Sequence, residues 1–426
     1  MSETRRQNLQ ETPQERAQRI RRQRALQEKR RRRRRKALIL RGILGIFAAV
    51  VLIGLAAGIS YEVKKYKAAE EECLRKEQEE AAKIPQMQEV DLSKVLHLSF
   101  ETLIADPAMA FEQEDTYAAR YLEESRITVE EFQGILEQLY QEGYVLVRFS
   151  DLVTTNKRGN LEEKKLMLPT GKKALILSEK NVNYDHTWSG QGLASRMIVD
   201  ESGTITCERR NAEGNTVTGA YDIVPCVETF ISEHPDFSNN GARGILGLTG
   251  YDGILGYHTE DEEEKAEAAS VIEALKNAGW EFACNGYEKI SYQQEESVVK
   301  EDVEQWKKTV GVMVGETSIL FFPEGTDLGG RKEYEESDPV YQLLKEQGFV
   351  YFCGMNISGP WSQLTDHYFR CSYKNVDGYR IKEDMTQEKR RFDGILDFTS
   401  CYDKMRSWSK EILETGTDGQ DLGTEN

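Results

Sequence analysis

The chain has little of what usually carries metal chemistry. Its 426 residues include five histidines (His97, His186, His234, His258 and His367) and seven cysteines scattered singly at 73, 207, 226, 284, 353, 371 and 401. With no C-x-x-C pair, a zinc knuckle is excluded. The odd cysteine count leaves a thiol over if the others pair internally. Cys73 is the natural candidate for an intermolecular bridge, and the rest read as small buried hydrophobes with free thiols. The glycines of residues 241–256 lack the G-x-G-x-x-G order, so nucleotide binding has no support there. The Ser-Gly pairs at 189–190 and 202–203 lie in turn-like contexts without a nucleophile elbow.

Charge is missing from residues 42–61 (GILGIFAAVVLIGLAAGISY), twenty residues long. As a helix, such a run crosses a hydrocarbon core of about 30 Å. The net charge of −17 is split around it. Residues 1–41 carry 16 Lys and Arg against 4 Asp and Glu, net +12, which leaves 40 basic and 69 acidic residues beyond, net −29. An acidic body repels phosphate, so no nucleic-acid partner is expected. The run KRRRRRRK at 29–36 reads instead as a topology signal that touches anionic headgroups. Ala56-Ala57-Gly58 is a weak cleavage site, outweighed by the long leader and the long apolar run. The expected layout is a basic cytosolic arm (1–41, disordered or helical), a single uncleaved transmembrane helix (42–61) and a helical stalk (62–90). A globular domain (91–405) and an acidic disordered tail (406–426) follow outside the cell membrane. The stalk is rich in Ala, Glu and Lys, and a coiled-coil dimer through it is a minor alternative.

Within the domain one phrase recurs. Thr128 and Glu131 form a capping box before Phe132, Ile135, Leu136 and Leu139 at helical spacing; Gly143 stops the helix and a short strand follows at 144–147. The same order of helix, glycine and strand returns at 268–283 through Gly279 and at 340–352 through Gly348. Apolar runs at 174–177 and 319–322 add buried strands. Helices alternating with such strands predict an α/β fold with a parallel sheet, most simply a (β/α) barrel. Residues 196–222 interrupt the rhythm as an inserted antiparallel β meander.

In such barrels chemistry gathers at the carboxyl ends of the strands. Two stretches expected there, ALILSEKNVNY (174–184) and WEFACNGYEK (280–289), resemble the metal-binding motifs of the polysaccharide deacetylase (NodB-homology) family. The phrases TLIADPAMAF, YVLVRFSDLV, LTGYDGILGYHT, FFPEGTDLG, SGPW and NVDGYR resemble a membrane-anchored bacterial branch of it, over roughly residues 96–400. The resemblance implies a distorted barrel that uses a divalent metal and water to remove acetyl groups from cell-wall glycans. Carried over by position, the catalytic base falls on Lys180 and the metal ligands on Asn181, Asn285 and Lys289. Ammonium and amide groups are not ligands for such a cation. Glu179 is one residue away, but strand alternation points it to the other face. A His found early in the family is matched by Glu101, no Arg precedes Pro323, and residues 385–400 hold no Leu-x-His.

The expectation is therefore an inactive, membrane-anchored, deacetylase-like protein that needs no cofactor and binds envelope glycan or scaffolds partners. A Lys180 ion pair with Glu179 or Glu101 would fill the vacated position. Tyr184, Trp188, Tyr287 and Trp361 are the candidate sugar-stacking residues. The alternative is an active hydrolase with a relocated divalent-metal set drawn from Glu101, Asp185, His186 and His258.

Overall fold

The computed structural model describes residues 86–111, 116–355, 359–387 and 390–409. The basic arm, the apolar span, Cys73, the stalk to residue 85 and the tail from 410 lie outside them. Among the described residues no helix is long and apolar enough to cross a membrane, and no cysteine is in a disulfide.

The described residues from Gln86 to Ser409 form one compact unit. Strand β1 (Leu96–Phe100) leads through helix α1 (Tyr117–Ser125) to α2 (Val129–Gln141) and β2 (Tyr144–Leu146). The capping box predicted for α2 is present, with Thr128 and Glu131 each bonded to the other's backbone. The long strand β3 (Lys173–Val182) precedes the predicted meander, β4 (Arg196–Val199), β5 (Ile205–Arg210) and β6 (Thr216–Gly219), which is antiparallel throughout. Next come α3 (Ile223–Glu233), β7 (Ile245–Leu248), α4 (Glu262–Ala278), β8 (Glu281–Cys284), α5 (Glu296–Trp306) and β9 (Ile319–Phe321). The unit ends with α6 (Pro339–Glu346), β10 (Tyr351–Cys353), β11 (Ser362–Leu364), β12 (Phe369–Cys371), β13 (Lys374–Asn375) and α7 (Gly378–Thr386).

The two later repeats start their strands slightly later than the apolar runs suggest. Gly279 is left-handed at φ 108°, and the next residue, Trp280, donates its N–H to Leu275 O at 3.0 Å. Phe349 does the same to Leu344 after Gly348. These first residues finish the helix cap, so strand pairing begins only beyond them.

The central sheet has the order β11-β12-β10-β9-β8-β7-β3-β1-β13, with β2 also on β3. All of its pairings are parallel except β11 on β12. Its two ends meet in one chain segment. Phe369 and Arg370 pair with β10, Tyr373 bridges to Met355, and Lys374 and Asn375 pair with β1. The largely parallel α/β sheet expected from the strand–helix alternation is present, and it curls so that its ends share residues 369–375.

Alternation along each strand sorts two cores. Ala174, Ile176, Ile245, Ala283, Ile319, Phe321 and Cys353 fill the inside. Leu175 and Leu177 face outward, onto a layer that includes Phe132, Ile135 and Leu136 of α2 and Val227 of α3. His97 is an inward polar exception, buried among Phe149, Phe321 and Tyr373. It bonds Ser178 Oγ at 2.8 Å, and burial pushes its pKa down to about 3, so the ring is neutral.

Candidate functional site

The carboxyl ends of β1, β3 and β8 bring Glu101, Lys180, Asn181 and Asn285 together. Glu101 follows β1, and its carboxylate accepts from Lys180 Nζ, from Asn181 Nδ2 at 3.0 Å and from Arg126 at 2.5 Å. Asn181 sits in the left-handed region at φ 57°, a conformation that asparagine tolerates. The turn aims its N–H at Asn285 Oδ1, 2.7 Å away, while Asn285 Nδ2 donates to Phe321 O at 3.1 Å. A buried side chain that must accept on one side and donate on the other is what an amide supplies. Gly247 on the neighbouring strand makes room for it, since a Cβ there would lie 2.9 Å from the Phe321 ring and 3.2 Å from Asn285 Oδ1.

The electrostatics follow from this geometry. Burial pushes the Glu101 carboxyl up, but Lys180 and Arg126 overcome it and hold the group well below the usual carboxylate range. Burial lowers the Lys289 ammonium, with Glu101 opposing, and its Nζ lies 5.1 Å from the Tyr251 ring centroid. Two cations thus pair directly with one carboxylate, and Lys289 lies within electrostatic reach of it. Arg126, at the end of α1, carries no motif that marks it in the sequence.

This donor set does not fit the divalent metal that the deacetylase resemblance implies. Both polar atoms of the Asn285 amide are committed to the backbone, and Glu101 is committed to cations. Asn181 Oδ1 is the acceptor in the cluster left without a partner. One amide oxygen beside ammonium and guanidinium groups is not a cation site.

Glu179 points to the opposite face of β3, as alternation requires. It is fully buried beside Asp222, the N-cap residue of α3, and Thr102 Oγ1 donates to it at 3.3 Å. Burial and the neighbouring Asp222 charge push its pKa well above the ordinary value.

The relocated metal set is divided differently from the expectation. Glu101 is taken by the cation cluster. Asp185 caps the helical turn His186–Trp188, accepting from Thr187 N at 2.8 Å, and also accepts from Tyr251 Oη at 2.8 Å. His186 and His258 do meet, with rings stacked at 4.2 Å, but their carboxylate is Asp252, 3.1 Å from His186 Nδ1.

Among the aromatic candidates Tyr184 needs correction. It is only 3% exposed and lies in the outer core, so it has no ring face for a ligand. Its left-handed backbone, φ 61°, turns the side chain away from the direction expected of a strand-end loop. Tyr287 is half-buried, packed over Gly250. Trp361 lines a cavity of about 1330 Å³, with Arg370 4.8 Å from its ring centroid. Trp188 stacks on Tyr121 at 5.4 Å, and Tyr121 on Tyr117 at 6.2 Å. Tyr117 and Tyr121 were not singled out in the sequence, although their i, i+4 spacing places them on one helix face.

No protein-family model and no curated protein matches the chain. Three solved structures to which it is similar are bacterial deacetylases. A Streptococcus pyogenes deacetylase in complex with acetate has 11% identity and a TM-score of 0.38, over 69% of this chain and 94% of that one. A polysaccharide deacetylase from Bacillus cereus has 9% identity and a TM-score of 0.37, over 70% and 69%. One described as putative from Bacillus anthracis has 9% identity and a TM-score of 0.34, over 74% and 70%.

Proposed function

We propose that the chain is a membrane-anchored, extracytoplasmic protein of deacetylase-like architecture that binds envelope glycan without hydrolysing it. The observation that carries this reading is the Glu101 cluster. Where a metal-dependent deacetylase needs an ionised base and a cation site, this barrel holds the ammonium of Lys180, paired to Glu101 and backed by Arg126 and Lys289. A metal-bound water activated by a carboxylate base has no counterpart among these residues. The stack Tyr117, Tyr121 and Trp188 supports the binding half of the proposal. Its outermost ring, Tyr117, is 77% exposed, and aromatic faces of this kind suit sugar rings. Tyr121 lies within electrostatic reach of Glu101 and Arg126, so the stack runs to the edge of the cluster.

The test uses the full chain in detergent with acetylated cell-wall glycan and added zinc, cobalt or nickel. No acetate is expected above the protein-free control, whereas steady release would overturn the proposal. Retention on insoluble glycan is expected for the parent and reduced in Trp188→Ala. Equal retention of parent and variant would remove the stack from the binding surface.

A further inference from the structure

We infer that His186, Asp252 and His258 form a site for one divalent transition-metal ion, built from residues outside the Glu101 cluster. One ligand atom from each of the three lies within 4.8 Å of the others. Ligands on a tetrahedral zinc-like ion, at about 2.0–2.1 Å from the metal, lie roughly 3.3 Å apart. The atoms therefore need to close by at most about 1.5 Å, and the stacked imidazoles must turn so that an in-plane lone pair of each faces the ion. His186 and His258 are exposed and Asp252 is half-buried, so their side chains have room to do so.

The three residues come from two loops that are already fastened to each other. Gly256 N donates to Asn183 O at 2.8 Å, Tyr251 Oη to Asp185 at 2.8 Å, and His186 N to Asp252 Oδ2 at 2.6 Å. His258 is pinned from the far side, its N–H donating to Glu264 Oε2 at 2.6 Å and its carbonyl accepting from Asp261 N. Without an ion this arrangement brings two imidazole rings face to face beside a carboxylate, with Asp185 and Glu264 close behind. That surrounding charge favours a cation. Two imidazoles and one carboxylate select a borderline ion such as zinc, cobalt or nickel over calcium or magnesium, which want oxygen ligands. Three protein ligands leave a further coordination position open to water or to a donor atom of a bound saccharide.

The test takes the untagged full chain in detergent, stripped with chelator and titrated with cobalt(II) as a spectroscopic probe and with zinc in competition. One cobalt per chain is expected, with visible bands of a nitrogen-ligated ion that zinc abolishes. His186→Ala and His258→Ala should each weaken binding by at least about tenfold, and Asp252→Asn by a similar factor. His367→Ala, an exposed histidine elsewhere, should bind as the parent does. Zinc should also raise the melting temperature of the parent and leave that of His258→Ala unchanged, a readout that separates lost ligation from lost folding. Undiminished binding in both histidine variants, equal weakening in His367→Ala, or no bound ion would each overturn the assignment. Metal binding and acetate release are read separately: bound cobalt without acetate leaves the proposed function standing, absent cobalt overturns this site alone, and acetate release overturns the proposed function alone.

Discussion

The two faces of β3 at its carboxyl end hold the same kind of group in opposite states. Inside the barrel, Glu101 is ringed by Lys180, Arg126 and Lys289, and its charge is stabilised. Outside, one residue before Lys180, Glu179 lies beside Asp222, and burial together with that neighbouring charge raises its pKa and favours the protonated form. Both carboxyls are buried, so burial does not decide between them; the sign of the neighbour does. Strand alternation sends Lys180 and Glu179 to different faces and so sorts an ionised carboxylate from one favoured in its protonated form across a single sheet. A neutral acid suits the apolar layer under α3.

The sharpest way to break this contrast is Glu101→Ala. It leaves Lys180, Arg126 and Lys289 facing one another without their counter-charge. Removing one partner of a buried ion cluster costs about 3–5 kcal/mol, and denaturant unfolding should show a loss of that order. Glu101→Gln keeps an acceptor and should lose less, about 2 kcal/mol. It should also flatten the acid limb. A carboxyl whose folded pKa is depressed gives stability that is fully present above its unfolded value, about 4.3, and is lost as pH falls below it. The parent should therefore weaken more steeply than Glu101→Gln below about pH 4. Parallel acid limbs would show that Glu101 is not held ionised.

On the outer face the expected effect is smaller. Asp222→Ala removes the acceptor for Leu103 N and Ile223 N, each at 2.9 Å, and with them the cap of α3. About 1–3 kcal/mol is expected for stranded buried donors. A change within 0.5 kcal/mol, of the order seen at unremarkable surface sites, would mean that water replaces the carboxylate there.

How much of this was legible depended on how local each signal is. The helix, glycine and strand units were readable because a capping box and a left-handed glycine act within a few residues. An ion pair of Lys180 was readable with either Glu179 or Glu101 as partner, and the convergence of parallel strand ends selects Glu101. The closure of the barrel was not, since residues 369–375 change partners midway, from β10 to β1, without a sequence mark. Asp252 was missed as the partner of His186 because a carboxylate 66 positions away carries no spacing rule, while adjacent Asp185 looked the better choice. Tyr184 was misplaced because a position on a strand-end loop says nothing of exposure, and its ring is buried in the outer core.

The finest test of the contrast is Glu179→Gln. An acid whose folded pKa is raised contributes stability that is fully present below its unfolded value, about 4.3, and is progressively lost as pH rises toward the folded value. In the parent, therefore, Glu179 should make the protein less stable on going from pH 5 to pH 8. Glutamine keeps the shape and offers a donor beside Asp222, yet it has no proton to lose. The variant should match the parent within about 1 kcal/mol near pH 5 and become the more stable of the two as pH rises. Unfolding curves across that range measure the crossing directly. If the parent instead holds its stability to pH 8 and the variant is uniformly weaker, then Glu179 is ionised in the fold. The two faces of β3 would then differ only in their partners and not in protonation.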